Sequence, residues 1–199
     1  KQKTAYEIRL SLVGSEMCIR DSIEGMAFSP EGDTLAVAGN VSGVALLDPM
    51  DGTRTGFLAT TSSPWAVAFS PDAKQISVTT HNGLLEIFDR ASGTRVSSIR
   101  LHQRLAPGLS YSPDGTMVAT GGEDGIVRVV DLATQRSVLT LDPMGHVIVS
   151  VSFSPDSKRL LVGTALFFAI EYDLERGRDA VRLHYSYYEP NAVTAPAPK

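Results

Sequence analysis

Apolar and polar residues alternate with period two along most of this chain, in short runs that recur as a set of four. One set contains Leu35 and Val37, Ile76 and Val78, Val118 and Thr120, and Leu160 and Val162, each two residues apart. Such alternation predicts a strand with one buried face. The next runs, VALLD from Val44, LLEIFD from Leu84, IVRVVD from Ile126 and FAIEYD from Phe168, are rich in β-branched and aromatic residues, as strands are. A further strand is predicted after each following turn, as in TRVSSIRL from Thr94 and RSVLTL from Arg136. The runs that end on an aromatic, such as WAVAF from Trp65 and VSVSF from Val149, supply the fourth.

The turns between the runs fix the period. FSPEG at Phe28, FSPDA at Phe69, YSPDG at Tyr111 and FSPDS at Phe153 follow one another at intervals of 41, 42 and 42 residues. Each aromatic is followed 20 residues later by an Asp: Asp48, Asp89, Asp131 and Asp173. Gly52, Gly93 and Gly177 stand four residues beyond three of those Asp residues, and Gln135 beyond the other. Self-similarity at about 40 to 45 residues predicts one small four-stranded sheet per repeat. The fold expected is therefore all-β: a β-propeller fragment of four four-stranded antiparallel blades. The repeats are placed at residues 23–62, 63–104, 105–145 and 146–185, with an Ala/Pro-rich tail at 186–199. Ser-Pro-Asp-Gly suits a tight turn, because Pro presets φ and Gly accepts a positive one. The later Asp residues recur because their turn recurs, so they are read as turn formers and not as catalysts.

The SPDG turn, GGEDGIVRVVDL from Gly121 and the Gly145–His146 pair make the repeats similar to WD repeats over Ile23 to about Tyr185. That resemblance implies a propeller whose loops bind proteins. WD-type propellers commonly have more than four blades, so the four are expected to form an arc with unpartnered faces at its two ends. The family's Trp-Asp dipeptide is replaced by Leu47-Asp48, Phe88-Asp89, Val130-Asp131 and Tyr172-Asp173. Its buried His–Ser/Thr–Asp–Trp network is thus incomplete in every copy. Thr120 and Asp124 match parts of it in the third copy, and His146 matches its His in the fourth.

Residues 1–22 fit no repeat. Read back into codons, Lys1–Glu7 and Leu12–Asp21 resemble a translated sequencing adapter, which implies that the coding chain began upstream of Ser22. The interrupted apolar run there does not read as a signal peptide. Cys18, the sole cysteine, lies in this segment and so reports nothing about redox compartment. The net charge of −4, with no basic stripe, argues against nucleic acid. The absence of any apolar run of 18 residues argues against a membrane span. A soluble protein is expected, the cytoplasm being favoured as its compartment.

No phosphate loop, HExxH, CxxC or GxSxG occurs, and the four histidines, His81, His102, His146 and His184, show no i, i+4 pairing. No catalytic residue, cofactor or metal is expected. The runs expected to line the axis, EGMAF, AVAF, LSY and VSVSF, are mostly small and apolar. A non-catalytic protein-interaction scaffold is the reading, the alternative being a propeller enzyme or ligand sensor with an axial polar or metal site. Loops opposite the SPDG turns differ between copies, and variation on a fixed scaffold is where recognition resides. Trp65, Arg104, Glu123, Asp124 and His146 are the expected contacts for a protein partner. Packing of Trp65, and hydrogen bonding by Asp124 and His146, is the structural alternative.

Overall fold

A computed structural model describes residues 22–39, 42–141, 145–166 and 168–176, and the backbone of 178–184. The readings of residues 1–21 and of the tail fall outside this range. The chain divides into two compact units at the junction of Arg100 and Leu101. In the first unit, β1 (Ile23–Phe28), β2 (Leu35–Gly39), β3 (Gly43–Leu47) and β4 (Arg54–Ala59) form one antiparallel sheet in chain order. A second sheet follows from β5 (Pro64–Phe69), β6 (Gln75–Thr80), β7 (Leu84–Asp89) and β8 (Arg95–Arg100).

In the second unit, β9 (Gly108–Tyr111), β10 (Met117–Gly121), β11 (Val127–Asp131) and β12 (Arg136–Leu141) make the third sheet. β13 (Ile148–Phe153), β14 (Arg159–Thr164), β15 (Phe168–Asp173) and β16 (Arg178–His184) make the fourth. Every ladder is antiparallel and lies within one repeat, as blades require. No helix occurs among the described residues, so none is long and apolar enough to cross a membrane.

Within each unit the two sheets stack through interleaved side chains. In the first, Ala36, Ala38, Val44, Leu46 and Leu58 of one sheet meet Val67, Phe69, Ile76, Val78 and Phe88 of the next. The second unit repeats the arrangement, with Ala119, Val127 and Val129 against Val151, Phe153, Leu160, Val162 and Tyr172. Small residues thus face large ones, which lets flat sheets approach without voids.

The approach is closest where β1 lies against β5. A β-carbon on Gly25 would sit 2.5 Å from the Trp65 carbonyl oxygen and 3.1 Å from the Ala66 Cα. Backbone cannot yield as a flexible side chain can. Gly25→Ala is therefore expected to cost about 2 kcal/mol, the range for overpacking, measured as a lower urea midpoint with an unchanged slope. A loss below about 0.5 kcal/mol, the scatter of ordinary surface changes, would mean that β1 and β5 can separate freely.

The Ser-Pro turns are built alike. The carbonyls of Ser29, Ser70, Ser112 and Ser154 accept from the N–H groups of Gly32, Ala73, Gly115 and Ser157 at 2.8–2.9 Å. That fourth position has positive φ in every copy: 73° at Gly32, 58° at Ala73, 72° at Gly115 and 59° at Ser157. Ala73 and Ser157 therefore hold a conformation suited to Gly, which the recurring turn imposes on them. Each Ser hydroxyl donates to a turn carboxylate: Ser29 to Asp33 at 2.7 Å, Ser70 to Asp72 at 2.7 Å, Ser112 to Asp114 at 2.6 Å and Ser154 to Asp156 at 2.5 Å. Where Glu31 replaces the usual Asp, Asp33 takes its place.

These hydrogen bonds hold Asp33, Asp72, Asp114 and Asp156 below the ordinary carboxylate value of 3.8, the Ser hydroxyl being the main cause in each. A depressed carboxylate stabilises the fold above its unfolded pKa and loses that contribution as pH falls through the folded value. Melting temperature should therefore drop on acidification below about pH 4. In Ser112→Ala part of that acid-dependent drop should vanish, as scanning calorimetry across pH 2.5 to 5 would register (roughly the carboxylate titration range). An unaltered pH profile would show that the turn carboxylates carry no such linkage.

The second set of turns is capped by carboxylates too. Asp48 accepts the Met50 N–H at 2.7 Å, Asp89 that of Ser92 at 2.8 Å, Asp131 that of Thr134 at 2.7 Å and Asp173 that of Arg176 at 2.9 Å. All four Asp residues are turn formers, as their recurrence indicated.

Candidate functional site

Opposite the Ser-Pro turns, each sheet ends in a β-turn between its second and third strands, and this turn is tied to the connection that precedes the sheet. His81 donates its N–H to the Ser63 carbonyl at 2.9 Å, Glu123 to Leu105 at 2.9 Å and Ala165 to Val147 at 2.9 Å. In the second unit the Ile148 N–H also reaches the Gly122 carbonyl at 3.1 Å. The backbones that carry Arg104, Glu123, Asp124 and His146 are thereby drawn together. Arg104 and Glu123 are exposed, and Asp124 and His146 half-buried. Trp65, also half-buried, belongs to the first unit, where it meets His81 edge-on with ring centroids 5.1 Å apart. His146 stacks on Phe168 at 6.5 Å and an interplanar angle of 7°.

Asp124 has partners that the sequence reading left out. His102, in the connection between β8 and β9, is only 2% exposed and sits between two of them. Its Nδ1 lies 2.9 Å from Asp124 Oδ1 and its Nε2 2.9 Å from Thr120 Oγ1. Arg128 Nη1 donates to Asp124 Oδ2 at 3.1 Å, and Asp124 Oδ1 accepts the Ile126 N–H at 3.2 Å.

Burial lowers the His102 pKa, and the hydrogen bond from Asp124 does not restore it. The ring is therefore neutral. A carboxylate only accepts, so Nδ1 carries the proton and Nε2 receives the Thr120 hydroxyl. Arg128 Nη1 and His102 Nδ1, 3.0 Å apart, are then two donors turned to one carboxylate. Burial raises the Asp124 pKa, but hydrogen bonding and charge from His102, with help from Ile126 and Arg128, outweigh it and leave the carboxyl low.

A Thr–His–Asp line of this kind has the connectivity of a nucleophile with its base and orienting acid. Chemistry needs the nucleophile to reach a substrate, and Thr120 is fully buried. The arrangement instead joins the connection before the third sheet to two of its strands. Gly122 makes room for it: a β-carbon there would lie 2.3 Å from His102 Nδ1 and 2.4 Å from Asp124 Oδ1. Among the described residues, no group of three His, Cys, Asp or Glu side chains could hold a metal ion.

The first unit solves the same problem with a different charge. Glu86 of β7, fully buried, accepts from the Thr61 hydroxyl at 2.7 Å and pairs with Arg95 Nη1 at 2.8 Å. The Thr61 N–H lies 3.3 Å from its other oxygen. Glu86 and Arg128 occupy one aligned position in the repeat, 42 residues apart. Each ties its third strand to polar groups at the loop end.

Against this geometry, the family model of the Anaphase-promoting complex subunit 4 WD40 domain matches residues 67–156, from inside β5 to just past β13. The chain is a WD40-like propeller protein. No curated protein matches it. The WD40-like repeats keep three members of the family's buried network in the third sheet, where His102, Thr120 and Asp124 meet and the Trp-Asp position holds Val130-Asp131. A WD40 domain brings a protein-interaction scaffold kind of function, and protein binding is the coarse role of this chain.

Proposed function

We propose that the protein is a non-catalytic scaffold whose loop-end residues contact a protein partner, with Arg104 and Glu123 at the centre of the contact in the second unit. The observation that supports this reading is exposed, copy-specific charge on a pinned backbone. Both side chains stand in solvent, while the Glu123 N–H is bound to Leu105 and the His102 cluster holds the turn beside it. Preorganised loops lose little freedom on binding, so their contacts count nearly in full. Arg is also a frequent interface anchor. Asp124 contributes by shaping the turn, His146 by its stacked ring, and Trp65 presents a half-buried indole in the first unit. The matched domain is, by its name, part of a complex subunit, and work inside an assembly suits this chain equally.

The test is affinity purification from the source cells, followed by titration of the recovered partner. Arg104→Ala and Glu123→Ala should each weaken binding by about 10-fold, the effect of a modest hot spot, with no change in melting temperature. Lys74→Ala and Lys158→Ala, at the Ser-Pro turns, should leave affinity as it was. The opposite pattern would move the contact to the other end of the sheets.

A further inference from the structure

The first sheet has one apolar face packed on the second and another that is open. On the open face lie Met26, Phe28, Leu35, Val37, Leu47 and Phe57, aligned across the sheet by its register. In the repeat, the first five correspond to Val67, Phe69, Ile76, Val78 and Phe88, the large residues with which the second sheet packs on the first. Val67 and Phe69 are each 8% exposed there, whereas Met26 and Phe28 stand 54% and 55% exposed and Phe57 48%. An apolar surface of this kind on a single sheet is a contact surface. Its shape is that of the large partner in a large-on-small stack.

The small partner also occurs open in this chain. On the fourth sheet, Ser152 and Leu161 are cross-strand partners, and Ser150, Gly163 and Ala169 line up beside them. By repeat register Ser152, Leu161, Gly163 and Ala169 correspond to Ala27, Ala36, Ala38 and Val44, the small face that the first sheet turns to the second. Ala36 is fully buried, but Leu161 is 44% exposed.

We infer that the open face of the first sheet receives the open face of the fourth sheet of a second copy, continuing between molecules the sheet stacking seen within each unit. Large and small sides differ, so the contact is heterologous, and copies add head to tail. Four strands about 4.8 Å apart and about 20 Å long give a footprint of about 400 Å² per copy. Such an area is below that of a stable dimer, so association is weak and concentration-dependent.

Sedimentation velocity of the whole chain tests this. The weight-average mass should rise above the 21.3 kDa of one copy as concentration increases through the micromolar range. Phe28→Glu and Leu161→Arg, both at exposed positions, should each raise the association constant's midpoint concentration at least about 10-fold, the equivalent of about 1.4 kcal/mol. Met26→Lys serves the same purpose should Phe28→Glu disturb the far-ultraviolet circular dichroism spectrum. Mixed together, the Phe28→Glu and Leu161→Arg chains retain one intact pair of faces and should form a one-to-one dimer and nothing larger. A single-copy mass at every concentration overturns the inference. So does association that Leu161→Arg leaves untouched, which would assign the contact to two first sheets face to face.

Discussion

Replacing His102 by Ala should destabilise the second unit by about 3 kcal/mol, combining a cavity with buried polar groups that lose their partner. The imidazole fills space between the connection before β9 and the strands β10 and β11, and it links Thr120 to Asp124. Its removal leaves the fully buried Thr120 hydroxyl with the Arg128 carbonyl, 3.4 Å away, as a poorer acceptor. The pH profile adds a readout that a packing defect alone would not move. Because burial depresses the folded pKa of His102, its contribution is present above the unfolded value near 6.5 and is lost as pH falls through the folded one. The wild-type chain should therefore lose stability below about pH 6.5 to an extent that His102→Ala does not. His146→Ala, at a half-buried ring stacked on Phe168, should cost less than about 1 kcal/mol. Equal losses for the two histidines in urea titrations would contradict the assignment of His102 to the buried cluster.

The second large effect concerns the buried carboxylate. Arg95→Met should cost the first unit about 3 kcal/mol, because Glu86 then keeps its charge in a site without access to water. This figure is at the low end for breaking a buried pair, since Arg95 itself retains 38% side-chain exposure. Thr61 continues to donate to Glu86, but a hydroxyl does not neutralise a carboxylate. Adding Glu86→Leu to Arg95→Met should recover most of the loss, as apolar replacement of both partners removes the stranded charge. Equilibrium unfolding of the two single variants and the double variant supplies the cycle. If the single Arg95→Met change costs less than about 0.5 kcal/mol, Arg95 is an ordinary surface residue and Glu86 is satisfied by Thr61.

Both clusters mark the boundary of what the sequence discloses. Blade count, strand positions and turns were legible because each is local: a period near 42 residues, alternation within a run, and Ser-Pro-Asp with its following Gly. The buried clusters depend on which loop folds back on which strand, and no local pattern encodes that. His102 sits in a connection that varies between copies, so it read as one more loop histidine; His146 matched the family's His and turned out to stack on Phe168. A usable signal was nevertheless present. Aligned third strands hold Val44, Glu86, Arg128 and Ile170 at one position, and a charge inside two otherwise apolar runs needs a buried partner. Following that requirement leads from Arg128 to Asp124 and from Glu86 to Thr61 and Arg95. Ala73 and Ser157 show the converse, where the repeat's turn geometry overrides the preference of the residue that occupies it.

Hydrogen–deuterium exchange of the chain with and without its purified partner tests the central claim most directly, because it reports which end of each sheet is covered. Binding at the loop ends predicts slowed exchange at residues 102–107 and 121–125 of the second unit, accompanied in the first by residues 60–65 and 81–82. The Ser-Pro turns at 29–33, 70–74, 112–116 and 154–158 should exchange as they do in the free chain. Protection confined to those turns, with the loop ends unchanged, would contradict the account.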